Sequence, residues 1–387
     1  MSSRLIEIIE NPEIRHREFP VTRDKIFLAH AGVAPLTRAA AQAVQEYAWE
    51  ITENFQEVGE FFHNLQKTRQ LAADLIQAKP EEIALIGPTA LGLNLVALGI
   101  DWSVGDEVVY YPQDYPSNVY PWSDLTRRGV RPVPLHPKSH GKITPELVFA
   151  SLSSKTKLVA LSSCHYLTGY RLDYQTIGAE LKKRGILFCL DSIQSLGATP
   201  IDVHYLDFLS ADSHKWLLGP LGAGIFYVNP LLYEHFHPTM LGSWNVHSPG
   251  FVAQKEIRFH STAQRFEIGS MNGLGIMGMK ASLEILSQVG VEAIHARLLH
   301  LHRYLRTKLQ ELGWEVLSES YPESAHSGIV TARKIGCDLN QIYKKLSDSG
   351  VVVSLRWDAN QNPLIRFSPH FYNLESEIDQ VMTFLRK

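Results

Sequence analysis

Lys215 stands in the polar stretch Ser210-Ala211-Asp212-Ser213-His214-Lys215-Trp216-Leu217-Leu218-Gly219-Pro220, 24 residues after Asp191. Asp191 closes the apolar run Ile186-Leu187-Phe188-Cys189-Leu190 and opens Asp191-Ser192-Ile193-Gln194. An acid at the end of an apolar strand and a lysine in a later turn are the two groups a pyridoxal phosphate (PLP) site needs. The lysine forms a Schiff base with the aldehyde, and the acid keeps the pyridine nitrogen protonated so that the ring accepts electrons. Taken alone, Lys215 reads equally as a surface lysine in a turn, Asp191 as a helix N-cap and Gln194 as an ordinary helix residue. The three together, followed by the turn from Trp216 to Gly224, favour the cofactor.

These residues must be positioned by a scaffold, and the hydrophobic pattern describes one. Residues 1–25 are polar and read as an irregular N-terminal arm. Strand-like runs then alternate with helix-like ones. Strands are expected at Glu81–Ile86, Glu107–Tyr111, Leu158–Leu161, Ile186–Leu190, Phe208–Ala211 and Gly224–Val228, and helices at Ala90–Leu98 and Tyr174–Arg184. Such alternation argues an α/β fold with a largely parallel sheet, in which ligands collect at the carboxyl ends of the strands. Thr89, Asp191 and Lys215 all fall at or just past such ends. Helical spacing then runs from Gly275 to Leu312. Short strands at Trp314–Leu317, Gly328–Thr331, Val351–Leu355 and Leu364–Phe367 follow, with helices near Leu339–Ser349 and from Glu375. The expected division is an arm (1–25), a large domain (26–275) and a smaller C-terminal α/β domain (276–387).

Bulk properties set the surroundings. The 387 residues are 45% hydrophobic and 20% charged, with a net charge of −3. That balance gives no electrostatic reason to expect nucleic acid or an anionic membrane as partner. No apolar run is long enough to span a bilayer, and the start lacks the apolar core of a secretory signal. Cys164, Cys189 and Cys337 are far apart and form no CxxC pair, which suits a reducing cytoplasm. The densest histidines, His235/His237 and His295/His300/His302, lack metal-ligand spacing, so no metal is expected.

From about Phe27 to the C-terminus the ordered motifs resemble aminotransferase class V. These are fold-type I PLP enzymes that include cysteine desulfurases, selenocysteine lyases, kynureninases and isopenicillin N epimerase-like proteins. The resemblance rests on Ala211-Asp212-Ser213-His214-Lys215-Trp216, on Asp191 with Gln194, on Asp114-Tyr115-Pro116-Ser117-Asn118-Val119-Tyr120-Pro121-Trp122, on Gly269-Ser270-Met271-Asn272, and on Ile365-Arg366-Phe367-Ser368-Pro369. It implies PLP as cofactor, a small amino-acid substrate, and a homodimer with its sites at the subunit interface. Lys215 is the implied catalytic residue. Asp191 would pair with the pyridinium nitrogen, Gln194 would donate to the phenolic oxygen, and Tyr115 would stack on the ring where many desulfurases carry histidine. Thr89, the amides of Ala90 and Leu91, and His214 would hold the phosphate at a helix N-terminus. Ser270 would reach the phosphate of the partner subunit. Arg366 would clamp the substrate carboxylate through its planar fork, with Arg356 a weaker second substrate contact, and Tyr166 would have a minor contact with the cofactor. His30, Ala31, Gly32 and Trp244 would line the pocket. The family often has threonine where Ala90 stands and serine where Asp212 stands. An acid repels phosphate, so Asp212 is expected to face another partner.

One departure separates subtypes. The stretch Leu355–Pro363, where desulfurases carry a nucleophilic cysteine, has none. Persulfide chemistry is therefore not expected. Three readings follow: amino-group transfer to a keto acid, which is preferred; a C–S β-lyase acting on a cystine-like substrate without a protein thiol; and an epimerase-like or non-catalytic PLP-binding protein.

Overall fold

The computed structural model describes residues 2–57 and 59–386; Met1 and Lys387, at the ends of the expected arm and small domain, lie outside them. The stretch expected to be irregular forms two helices, α1 (Ser3–Glu10) and α2 (Pro12–Glu18). Their caps are written in the sequence. Ser2 accepts from the Leu5 amide, Asn11 accepts from the Glu13 and Ile14 amides, and Pro12 sits at the first position of α2. Leu5 and Ile8 are fully buried in the main core, and Arg15 pairs with Glu377 near the other end of the chain. Polar composition hid an amphipathic helix that needs only one turn-spaced pair of apolar residues.

The chain continues through β1 (Ile26–Phe27), α3 (Arg38–Glu53), α4 (Phe61–Ile76), β2 (Ile83–Ile86) and α5 (Thr89–Gly99). Next come β3 (Glu107–Tyr110), α6 (Tyr120–Ser123), β4 (Arg131–Pro134), α7 (Pro145–Ser151) and β5 (Thr156–Ser162). Then follow α8 (Tyr174–Lys183), β6 (Leu187–Asp191), β7 (Phe208–Asp212) and β8 (Gly224–Val228). These build a seven-stranded sheet in the order β2-β8-β7-β6-β5-β3-β4. The four pairings from β7 to β4 are parallel, and β8 is antiparallel to both β7 and β2. Two antiparallel steps restore direction, so β2 ends at the same edge as β7, β6, β5 and β3. That shared edge is where Thr89, Tyr115, the loop after Ser162, Asp191 and Lys215 begin. β4, not legible in the sequence, is an edge strand, the one place where its alternating prolines Pro132 and Pro134 are tolerated.

The expected helix from Gly275 to Leu312 is two helices, α9 (Gly273–Val289) and α10 (Val291–Glu311), broken at Gly290, whose φ of +84° favours glycine. α9 lies against α3 and α4 and shares the main apolar core with strands of the seven-stranded sheet. The remaining elements are β9 (Glu315–Val316), β10 (Val330–Arg333), α11 (Leu339–Asp348), β11 (Val351–Val352), β12 (Ser354–Trp357), β13 (Pro363–Phe367) and α12 (Glu375–Arg386). A four-stranded antiparallel sheet, β12-β13-β10-β9, has its own apolar core with α10, α11 and α12. The single strand expected at Val351–Leu355 is split: β11 pairs in parallel with β1, and β12 pairs with β13. The architecture is thus α/β, with a mostly parallel central sheet and a smaller sheet beside it. Among the described residues no helix is long and apolar enough to cross a membrane.

Candidate active site

The turn between β7 and β8 carries Lys215 and is fixed from several sides. Ser213 Oγ donates to the Pro220 carbonyl at 2.7 Å, the Gly219 amide donates to Ser213 O at 2.9 Å, and Ser282 of α9 donates to Leu218 O at 2.8 Å. Lys215 is 8% exposed and opens into a cavity of about 540 Å³. Its lining includes Thr89, Ala90, Tyr115, Asp191, Gln194, His214 and Arg366, together with Tyr166, Arg356, Ala31 and Gly32. Residues separated by up to 335 positions (Ala31 to Arg366) thus converge on one lysine. No described ion pair involves Lys215, Arg356 or Arg366.

Burial governs the electrostatics. Removal from water depresses the proton affinity of Lys215; Asp191 opposes this, while Arg366 and Arg356 add to it. Burial raises the Asp191 carboxyl, and Asp114 raises it further, against the Ile193 amide (3.1 Å) and Lys215, which favour its charged form. Arg366 is 1% exposed, and burial first, then Arg356, pulls its pKa down to about 9. Its Nη1 donates to the Tyr166 carbonyl at 2.5 Å and its Nη2 reaches Ser354 Oγ at 3.4 Å. Its Nε is buried without a partner.

The polar side chains around the lysine have fixed orientations. Gln194 accepts from the Trp216 indole N–H at 2.9 Å and donates to the Ala31 carbonyl at 3.0 Å. The indole can only donate and the carbonyl can only accept, so both neighbours demand the same amide orientation. Asp212 faces His214, as expected of an acid unsuited to phosphate: its Oδ2 lies 2.7 Å from His214 Nδ1 and also accepts from the Gly222 amide. His214 Nε2 is left for the cavity. Thr89 opens α5 as its first helical residue, Pro88 being the cap, and its hydroxyl accepts from the Asp212 amide at 2.8 Å. Gly92 lets α5 sit tightly on β7, since a Cβ there would lie 2.3 Å from Ser210 Oγ. Tyr115 is 48% exposed, with its ring centroid 5.5 Å from Lys215 Nζ and 5.5 Å from the Tyr166 ring.

Leu91, His30 and Trp244 lie outside this cavity, and so does Ser270, which was expected at the partner subunit's phosphate. The Leu91 amide donates to the Pro88 carbonyl at 2.8 Å, so it is engaged in the first turn, and the residue lines a separate cavity toward Ile268. Ser270 lines another cavity of about 270 Å³ with Tyr47, Gln56 and Asn272. His30 is buried behind the site, bonded to Ser368 O (2.9 Å) and the Tyr372 hydroxyl (2.6 Å). Trp244 faces Phe62, with ring centroids 6.0 Å apart. Sequence reasoning in turn missed Asp114. This buried acid takes bonds from Ser162 Oγ (2.6 Å), the Tyr115 amide (2.7 Å) and Asn118 Nδ2 (3.3 Å), and so fixes the loop that carries Tyr115. The Asp-x-x-x-Asn spacing hinted at a turn, but not at its burial. Cys164 and Cys189 are buried, and burial pushes the Cys164 thiol up to about 11. Among the described residues no three His, Cys, Asp or Glu side chains cluster as metal ligands.

A phosphorylated pyridine aldehyde fits this donor set. Burial has left Asp191 in need of a cationic neighbour, while a buried amine, a helix N-terminus and an aromatic face line the same cavity.

The family model Aminotransferase class-V matches residues 26–381. A probable cysteine desulfurase from Pyrococcus abyssi is 26% identical, covering 97% of this chain and 96% of its own. An isopenicillin N epimerase from Amycolatopsis lactamdurans is also 26% identical, covering 84% of each. Among solved structures, the apo cysteine desulfurase from Thermococcus onnurineus NA1 superposes with a TM-score of 0.89 at 24% identity over 97% of both chains, which bears on the fold.

Proposed function

Because the chain belongs to the aminotransferase class-V family, we propose that it is an enzyme of amino-acid metabolism that transfers the amino group of a small L-amino acid to a keto acid. The observation that carries this reading is the convergence of Lys215, Asp191 and Arg366 on one cavity although they are far apart in sequence. Pyridoxal phosphate is the cofactor, and when bound it supplies an aldehyde that condenses with amines and a ring that accepts electrons.

The residues divide the work by chemistry. Thr89, the N-terminus of α5 at Ala90, and His214 held by Asp212 would hold the phosphate. Tyr115 would cover one face of the ring, Gln194 would present an N–H to the ring oxygen, and Asp191 would sit at the ring nitrogen. Lys215 takes the Cα proton of the substrate on Nζ and returns it, because burial makes its neutral amine accessible. Arg366, which lines the cavity, would orient the substrate by its carboxylate. Ser270 stands outside this cavity, so its expected phosphate contact would come from a second copy, and we infer a homodimer. A fully active monomer in sedimentation would contradict that.

A second reading is C–S cleavage without a protein thiol. Relatives named cysteine desulfurase span nearly the whole chain, yet Leu355–Pro363 holds no cysteine. One experiment separates the two. With amino acid alone, a transaminase leaves its cofactor in the amine form, and a keto acid restores the original spectrum. Pyruvate and ammonia accumulating from a cystine-like substrate together with a persulfide, the half of the disulfide that leaves when the C–S bond breaks, and with no amine form, would support the lyase instead.

A further inference from the structure

β12 and β13 pair antiparallel with Ser354 opposite Arg366 and Arg356 opposite Leu364. Side chains alternate along a strand, so Ser354, Arg356, Leu364 and Arg366 share one face of the sheet. Arg356 and Arg366 are then diagonal neighbours, with backbones roughly 7–8 Å apart, and both reach the cavity that holds Lys215. Arg356 is half-buried, and its one described hydrogen bond goes to the adjacent Leu355 carbonyl (3.1 Å). Two guanidinium groups and a buried amine therefore share a space in which Asp191 is the one lining carboxylate among the described residues. Like charges on one sheet face repel, and Arg356 lowers the proton affinity of both Arg366 and Lys215. A cation held at such a cost suits a ligand that brings more than one negative group to this end of the cavity. The phosphate-holding residues Thr89, Ala90 and His214 come from other elements, α5 and the lysine turn, so the arginine pair is a separate anion-binding unit.

We propose that the amino-acid substrate carries a second acidic group on a short side chain, received by Arg356 while Arg366 receives the α-carboxylate. This rests on the reading of the site as one for amino acids, and it adds the substrate class.

The test uses the full-length protein with its cofactor. Changes in the bound cofactor's visible band are titrated with L-aspartate, L-glutamate and L-cysteine sulfinate, and with L-alanine and L-2-aminobutyrate. The acidic set should half-saturate at concentrations at least about tenfold lower than the neutral set, as expected for one partly buried charge contact. Arg356→Gln should collapse that ratio toward one, whereas Arg366→Gln should weaken both sets. Neutral amino acids binding as tightly as acidic ones to the unmutated protein would overturn the inference, even if Arg356→Gln failed to fold. So would an Arg356→Gln variant that weakens both sets equally, which would make Arg356 part of a common clamp. If no amino acid of either set perturbs the band, the amino-acid reading of the site itself falls, and this inference with it.

Discussion

Replacing Arg366 with glutamine removes the group that the site depends on for grip rather than for chemistry. Arg366 is almost wholly buried, has one strong bond to the Tyr166 carbonyl, and keeps an unpartnered Nε. A desolvated charge-assisted contact to a carboxylate contributes about 2–4 kcal/mol. At 1.4 kcal/mol per decade, the variant should bind amino acids roughly 30- to 700-fold more weakly. Two effects on stability oppose one another. The variant frees the Tyr166 carbonyl, which costs about 1–3 kcal/mol if left unpaired, but it also removes a cation whose burial is already unfavourable, as its lowered pKa shows. The melting temperature should therefore move little, while substrate affinity falls steeply. Arg366→Lys should recover only part of the loss, because a lysine restores charge without the planar fork. Affinity is read from the visible-band titration, cofactor retention by dialysis, and folding by thermal melting. Arg366 would return to a structural role if substrate affinity fell less than about threefold, or if cofactor and substrate affinity fell together.

Borohydride reduction of the cofactor-loaded protein should leave a pyridoxyl group on Lys215, and Lys215→Ala should abolish it; a label found on another lysine would sink the central assignment. The rate at which apo-protein captures pyridoxal phosphate should rise with pH as the Lys215 amine loses its proton. Its midpoint should lie below the ordinary lysine value, because burial favours the neutral form; a midpoint at the ordinary value would remove the argument for a desolvated amine. The variant with Cys164, Cys189 and Cys337 all changed to alanine should keep most of its turnover. Two of these thiols are buried, and burial raises their proton affinity. A folded, cofactor-bound triple variant with no activity would show that a thiol takes part.

The order of chemistry-bearing residues at strand ends was legible in the sequence alone. Asp191 closes an apolar run, Lys215 stands in a polar turn, and Thr89 follows a short strand. Local patterns fix these positions because side-chain period and turn chemistry act over a few residues. The family resemblance likewise came from ordered motifs and agrees with the match over residues 26–381. Tertiary structure decided what depends on distant packing. The helices α1 and α2 form because Leu5 and Ile8 find the main core and Arg15 finds Glu377. Asp114 is buried because Ser162, on the neighbouring strand, receives it. Leu91 turns away because its amide is used in the first turn of α5. The register of β12 against β13, which brings Arg356 onto the same face as Arg366, is a pairing between strands. Burial, register and the orientation of an amide such as that of Gln194 are properties of neighbours brought together from afar, and no window of sequence contains them.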